Sequence, residues 1–146
     1  MNIGMILDAA FPPDPRGENE ALALIASGHA VFLFCLLGDN ELQNEDYKGI
    51  HIRRYPTNVL EYKLSALAYT VPMYKNIMSK KIAHFIKNYN IESIHIHDIQ
   101  IAEAVMKANK KFELPTVLDL HENRPEIMKH YPHLQKFPGN ILINPK

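Results

Sequence analysis

One cysteine, no excess of either charge and no long apolar run: each of these shortages removes a class of function from this chain. A single cysteine cannot close an internal disulfide, which suits a reducing compartment. Cys35 lies in the apolar run 30–37 and reads as a small buried hydrophobe rather than a nucleophile. Sixteen Lys and Arg balance sixteen Asp and Glu, so the basic surplus that a general nucleic-acid partner requires is missing. No stretch is long enough to span a bilayer, and the N-terminus lacks a basic region followed by a long apolar run. The expectation is therefore a soluble, cytoplasmic protein without a signal peptide. There is no internal repeat and no low-complexity tract. Neither G-x-G-x-x-G nor a P-loop occurs, which weakens dinucleotide and NTP-hydrolysis readings.

What is present suits one compact domain over residues 1–146, with 47% hydrophobic content to build a core. Residues 2–7 form an apolar run ending at Asp8, read as the first strand. A proline-bearing turn, 9–16, leads into a helix from about Gly17 to Ser27, with Gly28 placed to end it. The continuous apolar run 30–37 predicts a strand covered on both faces. Residues 38–48 read as a polar surface loop, and 49–55 alternate as a half-exposed edge strand. Residues 60–89 are helical in composition but contain Pro72, which predicts two helices meeting near Val71 or one kinked there. A strand at 94–98, a helix at 101–111 and a strand from Thr116 follow. Residues 124–146 carry only a short helical signal around 126–131. The order predicts a doubly wound, mostly parallel Rossmann-like α/β sheet with helices on both faces and strand order 3-2-1-4-5.

In such a sheet the parallel strands end on one edge, at a crevice beside the switch point. Ile94-His95-Ile96-His97-Asp98 and Thr116-Val117-Leu118-Asp119-Leu120-His121-Glu122 bring His97, Asp98, His121 and Glu122 to that edge. Asp98 has a plainer alternative as a cap for the next helix. His95 shares a strand face with His97 and reads as a hydrogen-bonded core histidine. The loop Phe11-Pro12-Pro13-Asp14-Pro15-Arg16-Gly17 leads into a helix start that can hold an anion, or is an ordinary rigid turn in which Asp14 and Arg16 pair. Two imidazoles and two carboxylates also suit zinc or manganese, but the spacing is no compact metal motif and acid–base work needs the same groups. No metal and no cofactor is expected. Tyr62, Tyr69, Tyr74, Lys75, Lys80 and Lys81 make an amphipathic, partly basic stretch. It reads as a solvated helix face, with peripheral contact at the inner face of a membrane as the second reading.

The series Phe11 to Ala21, then Leu24, Gly28-His29-Ala30-Val31, Ile96-His97-Asp98 and Asp119-Leu120-His121-Glu122, resembles the N-terminal half of a retaining glycosyltransferase of the glycosyltransferase-B fold. More narrowly it is similar to the bacterial group 1, family 4-like sugar transferases, over most of the chain to about Tyr131. The resemblance implies two Rossmann-like domains facing a cleft. The acceptor side would be this chain, and the nucleotide-sugar would be held by a C-terminal domain absent from it. It implies transfer of a sugar, with retention, to a glycan, lipid-linked or other hydroxyl acceptor, as in polysaccharide biosynthesis. By position, Gly17 matches the loop that approaches the donor diphosphate, and His121 a sugar-facing, catalytic histidine. Asp14, Arg16, His97, Asp98 and Glu122 would then bind acceptor or sugar. The chain has Arg16-Gly17 where two adjacent glycines are common. Alone, it is expected to be inactive. Two other readings remain at this point: a stand-alone flavodoxin-like binding or regulatory module, and a metal-dependent hydrolase.

Overall fold

The computed structural model describes residues 1–37, 41–56 and 72–120. Their elements run β1 (Asn2–Ala10), α1 (Pro15–Ala26), β2 (Ala30–Leu36), β3 (Asn44–Tyr47), β4 (Ile50–Tyr55), α2 (Pro72–Asn88), β5 (Ser93–His97), α3 (Ile99–Asn109) and β6 (Thr116–Asp119). The sheet order is β3-β4-β2-β1-β5-β6. Only β3 is antiparallel to its neighbour. The five parallel strands thus follow the expected order, with β3 added outside them. This is a mixed, mostly parallel Rossmann-like sheet.

Two corrections concern that added strand. The segment read as a surface loop contains β3, and β4 is not an edge, because β2 pairs with it on one side and β3 on the other. Asn44-Glu45-Asp46-Tyr47 lacks the apolar alternation that announces a strand. Its pairing is instead reinforced by polar contacts: Asp46 meets His51 at 2.8 Å and Arg53 at 3.6 Å. A short charged strand of this kind is a common way to blunt a sheet edge.

The core divides into two layers. Ile3, Met5 and Leu7 of β1, with Val31, Leu33 and Cys35 of β2, pack with Ala21 of α1. On the opposite face Ile6, Phe34, Ile94 and Ile96 pack against Met78, Ile82 and Phe85 of α2 and Ile101 and Val105 of α3. Alternate residues of β2 thus enter different layers, as the continuous apolar run required. Cys35 is fully buried, and that burial pushes its thiol up to about 12, so it stays protonated and inert. Helix α1 begins with Asp14 as N-cap and Pro15 in the first turn, and the chain leaves it through Gly28 at φ +84°. Helix α2 begins at Pro72, consistent with proline's tolerance at a helix start. The expected helix before it, and the short signal at 126–131, lie outside the described residues. No helix among the described residues is long and apolar enough to cross a membrane.

Candidate functional site at the carboxyl edge of the sheet

Strand β1 pairs with β2 on one side and β5 on the other, so the chain reverses its direction of winding at β1 and β5. The carboxyl ends of the two strands open a cavity of about 550 Å³ lined by Leu7, Ala9, Ala10, Pro13, Asp14, Pro15, Arg16 and Asp98. Asp119 at the end of β6 joins this edge, with its carboxylate 3.2 Å from the Arg16 guanidinium. The β1–α1 loop and two strand ends therefore meet as the topology demands.

The loop is held from below by Arg54, which is 2% exposed. Its Nε and Nη2 donate to the Phe11 carbonyl at 3.2 and 2.9 Å, and Nη1 donates to the Leu42 carbonyl at 2.7 Å. Glu45 and Glu41 neutralise the guanidinium at 2.7 and 3.3 Å. A planar fork with five donors can bridge two backbone carbonyls and two carboxylates at once, which an ammonium cannot match in geometry.

Asp14 and Arg16 do not pair through their side chains in the contacts seen here. The Asp14 carboxylate accepts hydrogen bonds from the backbone N–H groups of Arg16 and Gly17, each at 3.1 Å. A Cβ at Gly17 would stand 3.1 Å from Asp14 Oδ2, so glycine lets the capping carboxylate fold against the helix. The Gly17 N–H expected to face phosphate is therefore engaged by Asp14. Asp14→Ala should destabilise the fold by about 1 kcal/mol, the usual loss for an N-cap. A urea titration with an unchanged midpoint would show that the cap contributes nothing.

Asp98 sits at the N-cap position of α3 without making a side-chain capping bond. The capping alternative is thereby set aside. Its backbone is at φ 76° and ψ 142°, where a side chain is strained. Such strain concentrates at functional positions, and here it turns the chain at the cavity rim.

His97 is 1% exposed, and its ring lies 4.5 Å from that of His95, centroid to centroid. Both rings face α1. Glu20 Oε2 approaches His97 Nε2 to 3.6 Å and His95 Nε2 to 3.7 Å, beyond hydrogen-bond distance. Desolvation, followed by the charges of His95 and Arg16, pushes His97 down to about 4 against the pull of Asp14 and Asp119. It is a neutral imidazole at neutral pH. His95, expected as a hydrogen-bonded core residue, is instead 19% exposed and faces Glu20.

The structure thus brings together Asp14, Arg16, Gly17, His97 and Asp98, while His121 and Glu122 lie outside the described residues. Sequence reasoning missed Glu20 and the Arg16–Asp119 pair. Glu20 lies in the second turn of α1, beyond Glu18, the acid of the first turn. Its i+4 spacing from Arg16, one helical turn, was the available signal.

No protein-family model matches the sequence, and no curated protein matches it. Solved structures do share its fold. A sucrose-phosphate synthase from Thermosynechococcus elongatus superposes with TM-score 0.69 at 13% identity, covering 97% of this chain and 38% of that one. A glycosyltransferase from Rickettsia africae gives TM-score 0.57 at 21% identity, over 92% of this chain and 34% of that one. The C-terminal domain of a hydrogenase from Pyrococcus furiosus gives 0.53 at 14%, over 82% and 90%. The chain spans little more than a third of the sucrose-phosphate synthase and of the glycosyltransferase. Because a fold can host unrelated functions, these likenesses speak to architecture. The architecture is a Rossmann-like α/β fold, which all three structures share.

Proposed function

We propose that this chain is the acceptor-side domain of a retaining sugar transferase, working opposite a second Rossmann-like domain that holds a nucleotide-sugar. The observation that carries the reading is the cavity at the β1–β5 switch point, where Asp14, Arg16 and Asp98 converge on a rim of small and apolar residues. Carboxylates and a guanidinium suit the hydroxyls of a glycan or lipid-linked acceptor. The fold shared with a sucrose-phosphate synthase and a glycosyltransferase supports it.

In this reading the donor's leaving diphosphate approaches the start of α1, where the helix dipole and Arg16 oppose its growing charge. Gly17 exchanges its bond to Asp14 for one to phosphate. His121, following β6 in the chain, supports the transferred sugar, with Glu122 and Asp98 on the acceptor side and the buried His97 behind them rather than in contact with the acceptor. Domain closure supplies the dry environment. The transfer itself uses no metal and no cofactor, takes place in the cytoplasm, and involves no nucleic acid; a membrane-bound acceptor would bring the protein to the inner face of the membrane.

Two measurements test this. Calorimetry of the chain with uridine, guanosine and adenosine diphosphate sugars should show no micromolar binding. Tight binding would favour a stand-alone nucleotide module. In a protein that also carries the donor domain, His121→Ala should lower turnover by roughly 10²-fold, with a smaller change in the donor KM. Normal turnover with a much lower melting temperature would make His121 a structural residue.

A further inference from the structure

Glu20, His95 and His97 form a group whose arrangement no hydrogen bond explains. His95 and His97 alternate on β5 and so project toward the same helix, α1. One nitrogen of each ring and one Glu20 oxygen lie within 4.8 Å of one another. Yet Glu20 Oε2, His97 Nδ1 and His97 Nε2 are buried and find no hydrogen-bond partner among the described residues. Leaving a buried polar atom unpaired costs about 1–3 kcal/mol, so three in one place call for an explanation.

We propose that Glu20, His95 and His97 bind a divalent first-row transition ion, with zinc as the best match, that fastens α1 to β5. A tetrahedral zinc with ligands at 2.0–2.1 Å holds them about 3.4 Å apart. Glu20 Oε2 already stands 3.6 and 3.7 Å from the two Nε2 atoms. An ion at their centre satisfies the buried oxygen and the buried Nε2 together. Two imidazoles and a carboxylate are a standard donor set for zinc. Glu20 and His95 are 31% and 19% exposed, so the group lies next to solvent, the source of a water for the fourth position, although the Glu20 Oε2 atom itself is buried. Nδ1 of His97 has no outer partner, and a ligand without that support binds metal roughly 10–100-fold more weakly. The site is therefore of moderate affinity.

Its place in the fold gives the ion a positioning role. Glu20 lies one turn beyond Arg16, which reaches the cavity and Asp119. Fixing Glu20 to β5 fixes the register of α1 and with it the cavity rim. The proposal stands on these three side chains and does not require sugar transfer.

The test uses the full chain, stripped by chelator and titrated with zinc chloride, with cobalt as a spectroscopic substitute. One zinc per chain is expected, raising the melting temperature, and cobalt should show the visible absorption of a four-coordinate nitrogen–oxygen site. Glu20→Gln and His95→Ala, both at part-exposed positions, should fold and weaken binding at least tenfold. His97→Ala is informative only if it folds, so the first two variants decide. Zinc binding that is absent, or unchanged in both variants, overturns the proposal; in the second case the ion sits on histidines elsewhere in the chain.

Discussion

Replacing Arg54 with methionine is expected to cost the fold about 3–5 kcal/mol, the range for breaking a buried charge pair by removing one partner. Methionine fills similar volume, so the loss would come from what the guanidinium leaves behind. The Phe11 carbonyl loses both side-chain donors, and Glu45 and Glu41 lose their buried cation. Those carboxylates are 38% and 25% exposed and can partly rehydrate, which places the effect nearer the lower limit. Arg54→Lys should recover only part of it, because a single ammonium cannot fork to Phe11 while reaching Leu42. Urea unfolding followed by circular dichroism measures both. A loss below 1 kcal/mol in the methionine variant would mean that water replaces the guanidinium without strain. The β1–α1 loop would then be held by its own prolines.

The sheet was legible because its signals are local. Apolar runs at β1, β2 and β5, each closed by polar or turn residues, announced buried parallel strands. The polar segment between β2 and β4 hid a strand because β3 owes its place to pairing with β4 and to Asp46–His51 and Asp46–Arg53 contacts. Those contacts are cross-strand and leave no periodic trace in Asn44–Tyr47. The same blindness made β4 look like an edge.

The candidate site divides in the same way. That β1 and β5 would end together followed from strand–helix–strand connectivity, and Asp14, Arg16, His97 and Asp98 do lie at the carboxyl edge of the sheet. Which of them touch one another did not follow. The Arg16–Asp119 pair and the meeting of Glu20 with His95 and His97 depend on how far α1 slides and rotates over the sheet. Side-chain packing between layers decides that. Asp98 shows the limit most plainly, since its residue type fits a helix cap while its backbone, at φ 76°, sits outside capping geometry.

The second large effect is acid sensitivity located at His97. In the unfolded chain an imidazole titrates near 6.5, whereas in the fold His97 is pushed down to about 4, chiefly by burial. Between these values the unfolded state binds the additional proton, so stability falls as pH falls. The penalty is absent above pH 6.5, grows through the window and is complete below about 4, where it amounts to about 3 kcal/mol. His95 and Arg16 oppose protonation, Asp14 and Asp119 favour it, and Glu20 lies 3.6 Å away on α1. With chelator present to keep metal off the ring, wild type should lose stability between pH 6.5 and 4.5 relative to His97→Phe, which has no proton to take up. Glu20→Gln should steepen the loss, because the carboxylate nearest the imidazolium is gone. The difference between wild type and His97→Phe removes the contribution of every other titrating group common to both. Parallel stability–pH curves for the two would show that the ring protonates freely in the fold, and that the interior around His97 is wetter than its 1% exposure implies.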